Sequence, residues 1–272
     1  MACERATISL NRVRELHNVE LVRARGVEHS LPRHMHDKLC VSIIDSGARE
    51  FFYRGGRYVV APGQVQVVPP GEAHTCRTAA AMYSYRVVCI DETVLADTGG
   101  RSSRLPAATA LFRSPVVEDA VLYRSLANMH DILSGQPGAL EKGEAFHATV
   151  AQLFRHAATA PDERPAGSEN GAVRQIKDYL EGQFERNVSL DELVLITGLS
   201  PYHLVRVFTA AVGMPPHAYL NQVRVTRAKL MLAAGRRLAD AALAAGYADQ
   251  SHFQRSFKKV MGITPGQYLA AL

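Results

Sequence analysis

Short apolar segments, several of them alternating with polar positions, follow one another along the first part of the chain. Between about residues 20 and 95 they occupy 38–44, 51–53, 58–60 and 64–68. Glycine and proline turns separate them, as at Pro62-Gly63. Short strands with a turn about every eight to twelve residues are typical of a β-sandwich or a small barrel. We therefore predict an N-terminal β domain.

The spacing of apolar positions changes at about Val116. Apolar residues then recur every three or four positions as far as about Ala158, with an interruption at 135–138. This period predicts two amphipathic helices after the β domain. Their apolar stripes suit either packing against the β domain or a homodimer interface, and we expect a homodimer.

An internal repeat with an offset of 49 positions begins beyond residue 170. The matching pairs are His203 and His252, Arg206 and Arg255, Phe208 and Phe257, Gly213 and Gly262, Pro216 and Pro265, Tyr219 and Tyr268, Leu220 and Leu269. Each copy predicts a helix, a tight turn and a second helix. Between the copies, Pro216 to Ala234 predicts one helix, about 28 Å long. That length is close to the roughly 34 Å of one DNA turn.

Helix-end signals support this interpretation. In the first copy, Ser189 and Glu192 form a capping-box pair and Ser200 precedes Pro201 as an N-cap. In the second copy, Asp249 is the predicted N-cap. Gly198 and Gly246 supply the turns.

The second helix of each copy leaves polar side chains outside its apolar face. Arginine and glutamine can form paired hydrogen bonds with guanine and adenine edges in the major groove. A solvated surface is the commoner explanation for one such helix alone, but the duplication favours two base-reading helices. The residues left outside the apolar face are Tyr202, His203, Val205, Arg206 and Thr209 in the first copy and Gln250, Ser251, Gln254, Arg255 and Lys258 in the second.

The net positive charge of the chain comes from the same region. The net charge is +5, and residues 171–272 hold twelve Lys and Arg against seven Asp and Glu, whereas residues 1–170 hold nineteen of each. A localised positive charge suits double-stranded DNA, because neutralising phosphates releases counterions. The predicted phosphate contacts are Arg224, Arg227, Lys229, Arg236 and Lys258, with Arg237 nearby.

The polar segment 160–170 contains two prolines and predicts a linker. We expect domains at 1–159 and 171–272. Apolar runs stay below the roughly 18 residues that span a bilayer, and we expect a cytoplasmic protein without membrane contact. The four cysteines, Cys3, Cys40, Cys76 and Cys89, contain no C-x-x-C pair, which argues against a zinc ribbon or a dithiol redox site.

Residues 239–269 contain Ala-Gly-Tyr, Ser-His-Phe, Arg-Ser-Phe-Lys and Gly-Ile-Thr-Pro-Gly-Gln-Tyr in that order. This series matches the signature of the AraC/XylS family, and residues 171–272 resemble its DNA-binding domain. The resemblance implies a transcription regulator of the α+β multidomain class, with a cupin-like β-barrel, two following helices and an all-α double helix-turn-helix. The resemblance implies that the base-reading residues are Tyr202, His203, Val205, Arg206, Gln250, Ser251, Gln254 and Arg255. Val205 departs from the polar reader common there, so we expect less readout from the first helix.

The N-terminal segment resembles the two half-motifs of a cupin barrel, which serves as the effector domain of that family. Those motifs contain His34-Met35-His36 and Pro69-Pro70-Gly71-Glu72-Ala73-His74. A few polar groups on an apolar wall are what a small-molecule site needs. The predicted effector residues are Arg33, His34, His36, Tyr53, His74 and Tyr85.

Three histidines also suit a transition metal, because His-x-His on a strand directs both rings to one face. The glutamate of metal-binding cupins is missing from 37–41, where a lysine stands. We therefore expect no metal, no cofactor and no catalytic residues, and we expect DNA, a small-molecule effector and RNA polymerase as partners. Two alternatives remain open: a metal-dependent cupin oxygenase or isomerase with a DNA-binding tail, and a ligand-independent regulator.

Overall fold

The structure is a computed structural model that describes residues 6–28, 30–79, 82–98, 112, 114–157 and 171–272. Contacts group the chain into two compact units, of which the first is mainly residues 1–163 and the second mainly residues 164–272 together with Leu31–Met35. The predicted linker, 160–170, lies outside the described residues. Among the described residues, no single helix is long and apolar enough to cross a membrane, although the helices Leu190–Thr197 and Pro201–Val212, bent by 86°, meet that test as a pair.

Two antiparallel sheets make up the β domain, and the described strands do not join them into one closed barrel. The strands are β1 (Thr7–Val13), β2 (Val19–Val27), β3 (Leu31–His34), β4 (Leu39–Ser46), β5 (Arg49–Tyr53), β6 (Gly56–Val60), β7 (Gln64–Val68), β8 (His74–Thr78), β9 (Tyr83–Ile90) and β10 (Val116–Glu118). The six-stranded sheet has the order β1-β2-β9-β4-β7-β10, and the four-stranded sheet has the order β3-β8-β5-β6. The cupin-like fold predicted from the sequence is confirmed in this form.

Two boundaries predicted from the sequence were wrong. β1 lies before residue 20, where the strand-rich region was predicted to begin. Val116 and Val117 were assigned to the first helix, but they form β10 and pair with Gln66 and Val65 of β7. An apolar pair at the start of a helical pattern fits both structures, and only the neighbouring strand decides between them.

Three helices complete this unit: α1 (Glu92–Thr98), α2 (Ala120–Ser134) and α3 (Ala139–Ala157), with a 3-10 turn at Arg14–Leu16. The Asp119 side chain caps α2 by accepting hydrogen bonds from the Val121 and Leu122 amides. The apolar stripes of α2 and α3 pack against the six-stranded sheet, since Leu126 and Phe146 share one core with Val41 and Val67. Core packing, one of the two roles predicted for these stripes, is therefore the role seen.

The six-stranded sheet has two distinct faces because side chains alternate along each strand. In β4, Leu39, Val41 and Ile43 belong to the core shared with the helices. Ser42 points the other way and accepts a hydrogen bond from Arg49 of the four-stranded sheet, with 2.6 Å between oxygen and nitrogen. A hydrogen bond between polar side chains therefore joins the inner faces of the two sheets.

The second unit is all helical. Its helices are α4 (Gly171–Gly182), α5 (Leu190–Thr197), α6 (Pro201–Val212), α7 (Pro216–Ala233), α8 (Leu238–Ala244), α9 (Gln250–Met261) and α10 (Pro265–Ala270). α7 packs against α4, α6, α8 and α9, which explains why many of its side chains are buried. The predicted double helix-turn-helix and its long connecting helix are confirmed.

Candidate nucleic-acid interface and ligand pocket

α6 and α9 are two copies of one local design. Each has twelve residues and ends at a glycine in the left-handed region, Gly213 with φ 84° and Gly262 with φ 74°. Ser200 and Asp249 occupy the N-cap positions, and the Asp249 carboxylate accepts a hydrogen bond of 2.7 Å from the His252 amide. The 49-residue repeat of the sequence is therefore a repeat of structure.

The face of α9 that was predicted to read bases is open to solvent. Phe253 and Phe257 are fully buried, so they fix the opposite side of the helix in the core. The predicted readers on the open side are all exposed: Gln250, Ser251, Gln254 and Arg255. With Lys258 and Lys259 also exposed and acidic residues lacking on this helix, the surface combines hydrogen-bonding groups with positive charge.

α6 presents a different surface on the same scaffold. Leu204 and Phe208 are buried like their counterparts, and Tyr202 and Arg206 are exposed. His203 and Val205 are half-buried. Arg206 is the only lysine or arginine in α6, so α6 carries less positive charge than α9. The structure thus brings all eight predicted reader positions onto the outer parts of two equivalent helices.

The predicted phosphate contacts divide into two groups. Arg227, Arg236, Arg237 and Lys258 are exposed. Arg224 and Lys229, by contrast, are buried within the helical unit. A buried side chain cannot reach a phosphate without leaving its site, and the structure does not support these two assignments.

Arg224 holds the turn between α4 and α5. Its Nε donates to the carbonyl oxygen of Phe184 at 2.8 Å, and Nη2 donates to that of Arg186 at 2.9 Å. The guanidinium also lies over the Tyr247 ring, with 5.9 Å from Cζ to the ring centroid. Burial lowers the pKa of Arg224. The phosphate role predicted for Arg224 required an exposed side chain, and the packing of α7 on four neighbouring helices buries it instead.

The predicted effector residues lie mainly around the inner face of the four-stranded sheet. Tyr53 stacks on Phe51 with centroids 5.6 Å apart, and the His74 ring meets Phe51 edge-on at 5.7 Å. Tyr85 is buried and lies under the Arg49 guanidinium at 5.1 Å. Arg33 is exposed, so the structure does not support its predicted place in the effector pocket.

His34, His36 and His74 come together, and their ligand nitrogens lie within 4.8 Å of one another. The Nδ1 atoms of His34 and His74 lie 2.7 and 3.0 Å from the backbone oxygens of Pro32 and Glu72. If each Nδ1 carries the proton, each Nε2 presents a lone pair, the arrangement common in metal-binding histidines. These three imidazoles fit a divalent transition metal. The absence of metal expected from sequence stays a prediction.

Arg49 was missed by sequence analysis although the pattern contained the signal. In β5, positions 49, 51 and 53 share one face, and Phe51 and Tyr53 already mark that face as inward. Arg49 is 3% exposed. It donates to Ser42 and to the side-chain oxygen of Gln66, both on the six-stranded sheet. A charged group therefore lies between the two sheets.

Two equivalent helices with polar outer faces, and a separate β domain with a polar inner site, define a DNA-binding protein that carries a ligand-binding domain. Residues 193–271 match the family model of a helix-turn-helix domain, and residues 16–150 match that of the AraC-like ligand binding domain. The HTH-type transcriptional regulator YbfI of Bacillus subtilis (strain 168) is 31% identical over 241 residues, which cover 86% of this chain and 86% of that protein. The chain belongs to the AraC/XylS family of transcription regulators.

Other similarities cover less sequence or show the fold alone. The HTH-type transcriptional regulator SACOL0084 of Staphylococcus aureus (strain COL) is 38% identical over 97 residues, 35% of this chain and 13% of that protein. The structure of ToxT from Vibrio cholerae strain SCE256 with bound unsaturated fatty acid aligns with a TM-score of 0.55 at 12% identity, covering 100% of this chain and 98% of ToxT. The fold is therefore shared along the chain.

Proposed function

We propose that this regulator recognises a specific DNA sequence mainly through α9, and that an effector held between the two sheets changes its affinity for DNA. The exposed polar face of α9 carries the proposal. Arg255 and Gln254 have the chemistry to form paired hydrogen bonds with base edges, and Lys258 adds charge for the phosphates. On α6, the half-buried Val205 supplies apolar contact in place of a polar reader.

The connecting helix has a length compatible with two-site reading. The 18 residues of α7 extend about 27 Å. Successive major grooves on one side of DNA are roughly 34 Å apart. The exposed Arg227 and Arg236, together with Lys258, are the phosphate contacts that we retain. Their role would appear as a steep loss of affinity with rising salt.

Effector control is supported by the match of residues 16–150 to the AraC-like ligand binding domain and by the fold shared with fatty-acid-bound ToxT. An effector acts on DNA binding only if its affinity differs between the DNA-competent and the other arrangement. We propose no catalytic role, and contact with RNA polymerase stays a prediction. Homodimerisation does too, and sedimentation velocity would measure it.

The test of base reading is Arg255→Ala, with Arg174→Ala as a charge-matched control. Arg174 is an exposed arginine of α4, outside both reader helices. We expect Arg255→Ala to weaken binding to the selected site by about 1–3 kcal/mol and to relax one base position. Selection from a random DNA pool, followed by titration with each variant, measures both effects.

An unchanged base preference in Arg255→Ala would show that α9 does not read DNA as proposed. Equal losses of DNA affinity in Arg255→Ala and Arg174→Ala would show that Arg255 contributes only through its general positive charge. Circular dichroism of both variants controls for folding, since both side chains are exposed and neither supports the core.

A further inference from the structure

We propose that the effector is an organic monocarboxylate with an apolar body, and that the Arg49 guanidinium holds its carboxylate between the two sheets. This inference rests on the proposed effector control, because it gives the effector site a ligand class. Arg49 lies in β5 of the β domain and is not a member of the histidine cluster.

The first observation is an incomplete hydrogen-bond set on a buried cation. Arg49 is 3% exposed, and Nη2 donates to Ser42 and Gln66, which are neutral acceptors. The Nε–H group is buried and has no hydrogen-bond partner among the described residues. Because the guanidinium donors form a planar fork that matches a carboxylate, the unpaired Nε–H is a donor that a ligand carboxylate could satisfy.

The second observation is that the buried charge has no carboxylate partner among the described residues. Within the described part of the chain, no Asp or Glu lies within ion-pair distance of Arg49, and its neighbour Glu50 pairs with Arg57 instead. A buried charge without an opposite charge is costly, and buried ions are normally paired. An anionic ligand would supply the missing charge.

The groups around the guanidinium remain neutral near pH 7. Burial raises the pKa of the Cys76 thiol, and it raises the pKa of Tyr83 to about 12. Neither side chain therefore provides a negative charge to Arg49. A single positive charge suits a singly charged ligand better than a phosphate dianion.

The rest of the inward face of β5 is aromatic. Phe51 and Tyr53 follow Arg49 on the same face, and four residues of strand extend about 13 Å. Tyr85 covers the guanidinium from the other sheet. An apolar ligand body along Phe51 and Tyr53, with its carboxylate at Arg49, matches this order of side chains.

The experiment follows the Arg49 Nε–H group directly. In ¹⁵N-labelled full-length protein without DNA, the Arg49 side-chain resonance is assigned by its loss in Arg49→Lys. Octanoate and 3-phenylpropionate are the probes, and octanamide and 3-phenylpropionamide are neutral controls of the same shape. We expect at least one carboxylate to shift this resonance and to raise the Tm, since a ligand of the folded state stabilises it. We expect neither amide to do so.

Variants separate the site from general anion binding. Arg49→Lys keeps the charge but lacks the planar fork, so we expect about tenfold weaker carboxylate binding. Arg49→Met should abolish the carboxylate-dependent Tm shift, whereas Arg57→Gln, which removes an exposed arginine of β6, should leave it unchanged. If Arg49→Met does not fold, Arg49→Lys and the wild-type resonance still decide the question.

The proposal is overturned if neither carboxylate moves the Arg49 resonance more than its amide, or if the Tm shift persists in Arg49→Lys at wild-type affinity. Both measurements use DNA-free protein. Carboxylate binding without any change in DNA affinity would support the site and contradict effector control. A change in DNA affinity caused by an uncharged compound, without a shift of the Arg49 resonance, would support effector control and contradict the carboxylate site.

Discussion

The two helix-turn-helix copies are alike where they fold and different where they face solvent. Leu204 and Phe208 of α6 correspond to Phe253 and Phe257 of α9, and all four are fully buried. At the position of Val205, however, α9 carries the exposed Gln254. Core positions are constrained by packing from every side, whereas solvent-facing positions are not. The comparison therefore separates residues that make the fold from residues available for recognition.

The copies also differ in how tightly their turns are enclosed. Gly198 of the first copy has φ 67°, and a Cβ there would meet no atom within 4 Å. Gly246 of the second has φ 81°, and a Cβ would lie 2.5 Å from the backbone oxygen of Glu185. One turn requires only a left-handed residue, and the other requires glycine for space as well.

The largest expected effect is that of Gly246→Ala. Alanine there combines left-handed strain with a backbone clash, so we expect a loss of more than about 3 kcal/mol in the free energy of unfolding. Gly198→Ala should cost about 1 kcal/mol, the strain alone. Urea denaturation of both variants measures the difference, and equal losses would mean that the α4–α5 turn moves aside without cost.

Arg224→Ala tests whether the two copies unfold together. Its guanidinium binds the turn that precedes α5 and also covers Tyr247 in the second copy. Losing these partly buried hydrogen bonds and the packing of the side chain should cost about 1–3 kcal/mol of the free energy of unfolding. Arg227→Ala, which removes an exposed arginine over the Phe184 ring, should cost about 0.5–1 kcal/mol.

Native-state hydrogen exchange distinguishes cooperative from separate unfolding. We expect amides in α5 and α9 to lose protection to the same extent in Arg224→Ala. Loss confined to α5 would show that the copies are independent in stability.

Exchanging the differing reader residues should change recognition with little change in stability. Gln254→Val should remove one hydrogen-bonding reader and cost about 1–2 kcal/mol of specific binding. Val205→Gln, the matched change on α6, should add selectivity at the base pairs that α6 is proposed to contact. Binding-site selection with each variant measures both results, and no change for Gln254→Val would remove the proposed difference between the helices.

Acid should weaken the first copy through its capping box, for which α8 of the second copy has no side-chain counterpart. Hydrogen bonds from Arg186, the Ser189 amide and Tyr179 lower the pKa of Glu192 to about 2 from 4.5. A carboxyl with a lower pKa when folded contributes stability above its unfolded pKa, so this contribution falls as pH drops from about 4.5 towards 2. Between about pH 4.5 and 2, the Tm of Glu192→Gln should fall less with decreasing pH than the Tm of the wild type. An identical dependence of Tm on pH would contradict the stabilising role assigned to the Glu192 carboxylate.

Local chemistry was enough to predict the helix ends. Ser189 with Glu192, and Asp249 before α9, were identified from cap signals that act over three residues, and the structure has them in those roles. The same is true of the left-handed turn at Gly198. Such features depend on neighbours in sequence, which a single chain displays directly.

Features that depend on contacts between residues far apart in sequence were harder to predict. Arg224 and Lys229 were assigned to phosphate from charge alone, because the packing of α7 on four helices has no local signature. The approach of His74 in β8 to His36 in the β3–β4 connection, with ring centroids 5.1 Å apart, likewise requires two segments far apart in sequence to meet. Arg49 is the exception, since strict alternation in β5 places it with Phe51 and Tyr53.

Alternation along β4 has an evolutionary consequence. Val41 belongs to the core that the six-stranded sheet shares with α2 and α3, whereas Ser42, the next residue, faces Arg49 between the sheets. A substitution at Ser42 or Gln66 would therefore alter the proposed effector site while leaving the helix-facing core intact. If the proposed site is correct, ligand preference and domain architecture can diversify separately, and a mutant library limited to these inward positions is a rational route to regulators with new effectors.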